Sequence, residues 1–262
     1  MSAHLAVFSV EGPVEIPFQA SMAVCEKLKS LFLGSCGYHF GKFNIPSHFS
    51  GHSGSNAPIR EQNTHPYYLP VPDSTFNVIK QLIIFHRHDY EHNEENICDN
   101  INKLIDFEAG ITWNLYLAYN GKLNDLPLNE LPLLKPFLEP STTWRSVTPF
   151  LKSRHLRIKR SEKHDREIYR HALERELSKN ISFELENHGF TPASRIEFVS
   201  NHLLYPESTS NYCSDFLKEQ RHHKGARMDY GHSIIIRFSS PVAGPLALGK
   251  NSHLGMGVFS TL

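Results

Sequence analysis

Apolar residues in the first half of the chain follow two spacings, and each spacing predicts one type of element. Short apolar runs bounded by turn residues predict strands at residues 5–10, 66–71, 78–85 and 111–119. Apolar residues repeated every three or four positions predict helices at residues 18–32, where Gly34 follows as a stop, and at residues 97–105. The resulting order, β-α-β-β-α-β, is that of a ferredoxin-like unit.

The second half of the chain begins the same order again. We predict strands at residues 143–151, 194–204 and 233–238 and a helix at residues 164–180. A linker or rigid crossover between the halves is marked by Pro127, Pro132, Pro136 and Pro140. The predicted fold is α+β, with tandem ferredoxin-like (RRM-like) units at residues 1–139 and 140–262 and a glycine-rich loop near the C-terminus.

Charge is unevenly distributed in this chain of 262 residues, whose net charge is zero. Residues 1–140 hold 9 Lys and Arg against 15 Asp and Glu, a balance of −6. Residues 141–262 hold 18 against 12, a balance of +6. The excess of cations in the second half predicts an anionic partner there.

The cysteines and the hydropathy pattern indicate a reducing compartment. No C-x-x-C spacing occurs, so we interpret the four cysteines as reduced thiols: Cys25, Cys36, Cys98 and Cys213. The chain shows no secretory leader and no apolar run near the length of a membrane span. We therefore expect a soluble, cytoplasmic protein.

Motifs for metals and nucleotide cofactors are missing from the sequence. His86, His88 and His92 lie close together in the sequence, and His222 and His223 form a pair. His86 and His88 would face the same side of a strand and could share a zinc ion, but no fourth ligand occurs at a suitable spacing. The chain has no H-E-x-x-H, Walker-type loop, nucleophile elbow or dinucleotide fingerprint. We expect neither a metal nor a cofactor.

Residues 244–259 (GPLALGKNSHLGMGVF) form a glycine-rich segment directly after a predicted strand. Glycine permits positive φ and a close approach of the backbone to a ligand, so exposed amide groups could cradle a phosphate. An ordinary glycine-containing hairpin is the alternative. The candidate RNA contacts in this segment are Gly249, Lys250, Ser252, His253 and Gly255.

Histidines and tyrosines are concentrated between residues 50 and 70. Cleavage of RNA without a metal needs one group to activate a 2′-hydroxyl and another to protonate the leaving 5′-oxygen. Histidine suits both tasks, which makes His52 and His65 candidates. Arg60 could stabilise the charge that develops on the phosphate. The alternative is a polar loop with surface histidines.

A basic run follows the predicted strand at residues 143–151. Such a run either follows a phosphate backbone or forms a solvated basic surface. Its candidate RNA-binding residues are Arg145, Lys152, Arg154, His155, Arg157, Lys159 and Arg160. Because the glycine-rich segment lies in the same half of the chain, we favour RNA binding.

These motifs, in this order, resemble a known family. The set comprises SGH at residues 50–52, THPYYLP at 64–70, WRSVTPF at 144–150, RH at 154–155 and the terminal glycine-rich segment. It resembles the C-terminal half of the type I-U (I-G) CRISPR fusion subunit, a repeat-cleaving endoribonuclease of the RAMP superfamily. The resemblance extends over nearly the whole chain.

The resemblance implies two ferredoxin-like folds that bind CRISPR repeat RNA and cleave precursor crRNA without a metal. The product would end in a 2′,3′-cyclic phosphate or a 3′-phosphate and would be retained in an antiviral surveillance complex. His65 matches the family histidine that precedes an aromatic-Leu-Pro strand, and this assigns it general acid or base catalysis.

The chain departs from the family pattern in two ways. Asn63 occupies the place of a second histidine, which leaves His52, Tyr67 and Tyr68 as possible partners of His65. The fused N-terminal half does not precede the motifs, so we expect a stand-alone processing enzyme. The rival interpretations are a non-catalytic crRNA-binding subunit of a CRISPR effector complex and a DNA-binding or transposon-associated module with the same fold.

Overall fold

The computed structural model describes residues 3–51, 65–91, 94–106, 108–199, 213–218 and 231–261. The chain divides into two compact units, each α+β with an antiparallel sheet. Unit 1 comprises Met1–Leu134 and His253–Gly255, and unit 2 comprises Lys135–Ser252 and Met256–Leu262. Three residues of the glycine-rich segment, His253–Gly255, therefore belong to unit 1.

Among its described residues, unit 1 contains one sheet and one long helix. Its elements are β1 (His4–Glu11), β2 (Ile16–Pro17), α1 (Ser21–Phe40), α2 (Ser47–Ser50), β3 (Tyr67–Pro72), β4 (Val78–His86), β5 (Lys103–Asp106) and β6 (Ile111–Lys122), with 3-10 turns at Phe18–Ala20, Glu95–Asn100, Leu123–Asp125 and Pro132–Leu134. The strand order is β2-β4-β1-β6-β5, and β3 also pairs with β4.

The predicted first helix is confirmed, but it continues beyond the expected stop at Gly34. Its buried side chains, among them Leu28, Phe32 and Cys36, recur at helical spacing on both sides of this glycine. A glycine inside a helix costs only about 1 kcal/mol, so the burial of the last turns outweighs it. The helix ends instead at Gly41, whose φ is +85°.

The predicted second helix at residues 97–105 is wrong. The chain forms the 3-10 turn Glu95–Asn100 and then β5, which pairs with β6. Within β5, Leu104 is buried while Lys103 and Ile105 are exposed, which is the alternation of a strand with one covered face. In a segment this short, the same apolar residues satisfy either period, and pairing with β6 decides between them.

Unit 2 packs a long helix on a four-stranded sheet. Its elements are α3 (Lys135–Leu138), β7 (Ser141–Ser146), α4 (Arg166–Asn187), β8 (Arg195–Val199), α5 (Cys213–Lys218), β9 (Ser233–Val242) and β10 (Phe259–Thr261), with a 3-10 turn at Arg160–Lys163. The strand order is β10-β7-β9-β8. The core places Leu177 and Ile181 of α4 against Trp144 and Ile236 of the sheet.

The predicted elements of unit 2 are found with shifted ends. The helix starts at Arg166, where the Asp165 side chain accepts hydrogen bonds from the Glu167 and Ile168 amides, and it extends to Asn187. β7 ends at Ser146, earlier than expected, and β8 ends at Val199, with the remainder of that prediction outside the described residues. Residues 243–258, which include most of the glycine-rich segment, connect β9 to β10 without a helix.

All four cysteines are buried and unbridged. Among the described residues, no helix combines the length and the apolar character needed to cross a bilayer.

Candidate functional site

Two histidines meet in unit 1, although they are far apart in the sequence. The ring centroids of His65 and His253 lie 4.9 Å apart, with the rings almost perpendicular. The Tyr68 amide donates a hydrogen bond to the His253 carbonyl at 2.9 Å, and a parallel bridge joins Tyr68 to Leu254. Residues 253–255 therefore lie beside β3, and this places His253 next to the histidine that precedes the strand.

Gly255 makes this position possible. Its φ is +78°, and a Cβ on it would lie 2.9 Å from both Cys25 Sγ and Pro70 Cδ. A side chain would therefore clash with α1 and β3 and would also strain the backbone. These steric contacts give Gly255 a structural role in holding His253.

The surroundings of His253 favour its neutral form. Burial, together with the nearby His65 and Lys29, lowers the pKa of His253 to about 3. At neutral pH the imidazole is therefore uncharged, with one ring nitrogen able to accept a proton. A phosphate at this position would counter the positive charges and raise that pKa.

Tyr67 lies beside His65, and Arg87 lies beside Tyr67. The Tyr67 ring is nearly parallel to that of His65, with centroids 6.3 Å apart, and Arg87 Cζ lies 5.7 Å from the Tyr67 centroid. Tyr67 pairs with Phe85 across β3 and β4, so Arg87 lies just beyond the strand end that His65 precedes. Burial lowers the pKa of Arg87, and Tyr67 opposes the shift, but an arginine stays charged in proteins.

Sequence reasoning missed Arg87 and Lys29 as members of this site. It instead placed His52 and Arg60 beside His65, and both lie outside the described residues. Gly51, which precedes that segment, is close to His65, because a Cβ on Gly51 would lie 3.7 Å from His65 Cβ and Nδ1. The sequence feature that could have identified Arg87 is its place directly after an apolar strand, β4, which pairs with the strand that follows His65.

The short helix α2, which leads to Gly51, is held by a contact between His48 and Glu94 and by an aromatic cluster. His48 Nε2 lies 3.1 Å from Glu94 Oε1, and the Glu91 amide donates to Glu94 Oε2. Phe49 packs at 5.2–5.5 Å from the rings of Phe32, His86 and Tyr90. These contacts fix the backbone just before the candidate catalytic segment.

The zinc ligands considered from the sequence, His86 and His88, have ring centroids 5.4 Å apart. His86 is buried and packs against Tyr90. Across the described ranges, no group of three His, Cys, Asp or Glu side chains is arranged to hold a metal ion.

Most of the basic run in unit 2 is exposed and irregular. Residues 151–159 contain no regular element, and the exposed members are Arg154, His155, Arg157, Lys159 and Arg160. Lys152 is half-buried. Arg145 is buried in β7, where it pairs with Ile235 and Ser260. The surface that could meet an anion therefore starts after β7.

The glycines of the loop in unit 2 serve close backbone packing. A Cβ on Gly249, whose φ is +93°, would lie 2.3 Å from the Leu151 carbonyl oxygen. The amides of Leu248, Lys250, Ser252 and Gly257 donate to carbonyl oxygens of the protein itself. Gly249 and Ser252 are buried and Lys250 is exposed, so the side chain of Lys250 is the accessible part of this group.

No protein-family model matches the chain, and no curated protein matches it significantly. Among solved structures, it is similar to a crystal structure of Cas6b, with 12% identity, complete coverage of both chains and a TM-score of 0.49. It is also similar to a RAMP protein binding different RNA substrates (9% identity, complete coverage of both, TM-score 0.42). A Cas6-related protein from Pyrococcus furiosus shows 11% identity over 99% of this chain and 98% of that one, with a TM-score of 0.39. Identities and scores this low give no basis for transferring a residue's role or an activity.

Proposed function

We infer that the chain is a metal-independent endoribonuclease that binds CRISPR repeat RNA and cleaves precursor crRNA. The ordered motifs that resemble the CRISPR subunit support the substrate. The framework would be two ferredoxin-like units. In each unit, the four main strands lie side by side in the order fourth, first, third and second along the chain: β6-β1-β4-β3 in unit 1 and β10-β7-β9-β8 in unit 2. The product would remain bound as part of a surveillance complex.

The observation that carries the proposal is the pairing of His65 with His253. One imidazole removes the proton from a 2′-hydroxyl, whose oxygen then attacks the adjacent phosphorus. The bond from phosphorus to the 5′-oxygen breaks, and the other imidazole, in its protonated form, protonates that oxygen. The products are a 2′,3′-cyclic phosphate and a 5′-hydroxyl, so atoms and charges balance without a metal.

His253 is neutral and can therefore act as the general base, which leaves His65 as the general acid. A pKa near 3 makes an imidazole a weak base in the free protein, but the scissile phosphate would raise it. Arg87 and Lys29 would stabilise the additional negative charge on the phosphate in the transition state. Tyr67 would position His65 through its parallel ring.

The test is cleavage of a labelled CRISPR repeat RNA in EDTA, with binding measured alongside. We expect His65→Ala and His253→Ala each to reduce the cleavage rate by at least about 100-fold, the usual contribution of a general acid or base, while binding persists. His171→Ala, an exposed histidine on α4, is the matched control and should cleave as the wild type.

A crRNA-binding subunit without catalytic activity is the competing function. Wild-type protein that binds the repeat RNA but leaves it intact in EDTA would establish this alternative and refute the nuclease. Unchanged cleavage by both His65→Ala and His253→Ala would keep the nuclease but remove the histidine pair from its chemistry.

A further inference from the structure

Acidic side chains next to the basic run of unit 2 already have cationic or hydrogen-bonding partners. Arg175 donates to Glu162 at 3.1 Å, and the Lys159 amide donates to the same carboxylate. Lys179 donates to Glu176 at 2.7 Å, and the Arg157 amide also donates to it. The negative charges of this region are therefore compensated before any ligand binds.

The side chains of Arg154 and Arg157 in this run are not compensated in this way. In the part of the chain that the structure describes, the guanidinium groups of Arg154 and Arg157 form no ion pair or hydrogen bond. Arg154 Cζ lies 3.1 Å from the centre of the Phe183 ring, a cation–π contact. Stacking uses the flat face of a guanidinium and leaves its N–H groups, which lie in the plane, available to an acceptor.

The two arginines line a cleft of about 600 Å³ between the basic run and α4. Its lining residues are Arg154, His155, Leu156, Arg157, Glu176, Lys179 and Asn180. The lining supplies guanidinium, ammonium and amide donors but no Phe, Tyr or Trp ring on which a base could stack. Donors of this kind suit phosphate oxygens.

Helix α4 fixes the wall of the cleft that carries Arg154. Asn180 accepts a hydrogen bond from the Ser153 amide at 3.1 Å and donates one to Ser153 Oγ at 3.0 Å. Ser153 Oγ donates in turn to Glu184, which also accepts from the Gly249 amide at 3.4 Å. Asn180, Phe183 and Glu184 share one face of the helix, so they hold the chain on both sides of Ser153.

We propose that this cleft binds the phosphodiester backbone of RNA through Arg154 and Arg157, with Asn180 and Glu184 as positioning residues. The identity of the ligand as RNA rests on the proposed function, whereas its recognition through phosphates follows from the cleft itself. Because phosphates are the same in every sequence, this site contributes affinity without reading bases.

The test measures binding of fluorescent RNAs at several salt concentrations, in the His65→Ala background so that no RNA is cut. We expect Arg154→Ala and Arg157→Ala each to weaken binding about tenfold, equally for a repeat RNA and an unrelated RNA. Each should also reduce the slope of log affinity against log salt by roughly 0.7–0.9. Arg170→Ala, a cation on α4 outside the cleft lining, is the matched control.

The positioning role has its own signature. Glu184→Ala should weaken binding without changing the salt slope, because no phosphate contact is removed. Glu184→Gln keeps a side-chain oxygen for Ser153 and Gly249 and should restore most of the affinity. A change of slope with Glu184→Ala would overturn the positioning role.

RNA affinity and salt dependence that are unchanged in both arginine variants would overturn phosphate binding by the cleft. A loss of affinity confined to one RNA sequence would overturn it as well. Stronger binding of a polyglutamate peptide than of RNA would show that the anion is a protein. A chain that binds RNA through Arg154 and Arg157 but never cleaves it would refute the nuclease and leave this site intact. Cleavage that is insensitive to both variants would refute the site alone.

Discussion

The carbonyl oxygen of His253 accepts a hydrogen bond from the Tyr68 amide at 2.9 Å. Through this bond, a residue near the C-terminus lies beside the strand that follows His65. The position of a candidate catalytic side chain is thus set by backbone pairing with β3 and by the glycine two residues later.

Gly255→Ala should destabilise the fold and also displace His253. The new Cβ would meet Cys25 Sγ and Pro70 Cδ at 2.9 Å, and the φ of +78° adds backbone strain. We expect a loss of about 1–3 kcal/mol in the free energy of unfolding, measured by urea denaturation, and a lower cleavage rate.

Gly110→Ala is the matched control for this substitution. Gly110 has a similar φ of +67°, but no atom lies within 4 Å of an added Cβ, so this variant reports backbone strain alone. Equal losses in the two variants would contradict a steric role for Gly255.

Lys29→Ala should raise the pKa of His253. Lys29 is one of the positive groups that, after burial, disfavour protonation of this imidazole. The measurement is an NMR titration of the histidine ring protons, with the His253 resonance assigned from His253→Ala. Lys27→Ala, which removes a lysine paired with Asp106 on the same helix, should leave the titration unchanged. An unaltered midpoint in Lys29→Ala would show that the lysine charge does not reach His253.

Acid should destabilise the protein through two histidines that are neutral in the folded state. Burial, with His65 and Lys29, lowers the pKa of His253 to about 3, and burial, with Lys152, lowers that of His232 to about 4. Below the ordinary value of about 6.5, the unfolded chain binds protons that the folded chain does not. Stability is therefore expected to fall as the pH decreases from about 6.5 towards 4.

Urea unfolding at a series of pH values measures this effect. Each histidine contributes at most about 1.4 kcal/mol per pH unit to the slope of the unfolding free energy against pH, and His232→Gln should remove one such contribution. His171→Ala, which alters an exposed histidine on α4, is the comparison variant. A wild-type slope in His232→Gln would contradict a contribution of His232 to the loss of stability in acid.

His48 and Glu94, whose Nε2 and Oε1 atoms lie 3.1 Å apart, should be coupled energetically. Glu94 is buried, so His48→Ala leaves its carboxylate without its imidazole partner, which costs about 1–3 kcal/mol. His48→Ala combined with Glu94→Gln should cost less than the sum of the single variants. A double-mutant cycle by urea unfolding measures the coupling, and strict additivity would show that the pair contributes nothing.

Much of the local structure was predictable from the chain. The apolar runs that form β1, β3, β4 and β6 are recognisable from a few neighbouring residues. The repeat of Leu28, Phe32 and Cys36 at helical spacing identifies α1 in the same way. The helix expected at residues 97–105 failed because β5 is stabilised by pairing with β6, which is a contact outside the segment itself.

The candidate site was predictable only in part. The histidines and the basic run were identified by residue type, since imidazole and guanidinium chemistry belongs to the side chain wherever it lies. The pairing of His65 with His253 was not predictable, and neither was the stacking of Arg154 on Phe183.

By itself, the sequence determined the α+β class, the main strands and long helices, and the chemical groups available for acid–base catalysis and anion binding. These properties depend on residue type and on periods of two or 3.6 residues. The tertiary structure alone decided which groups meet, because backbone pairing between distant segments and glycines at close approaches are fixed by packing of the whole unit. It thereby placed His253 beside His65 and, among the described residues, left the guanidinium groups of Arg154 and Arg157 without an ion pair.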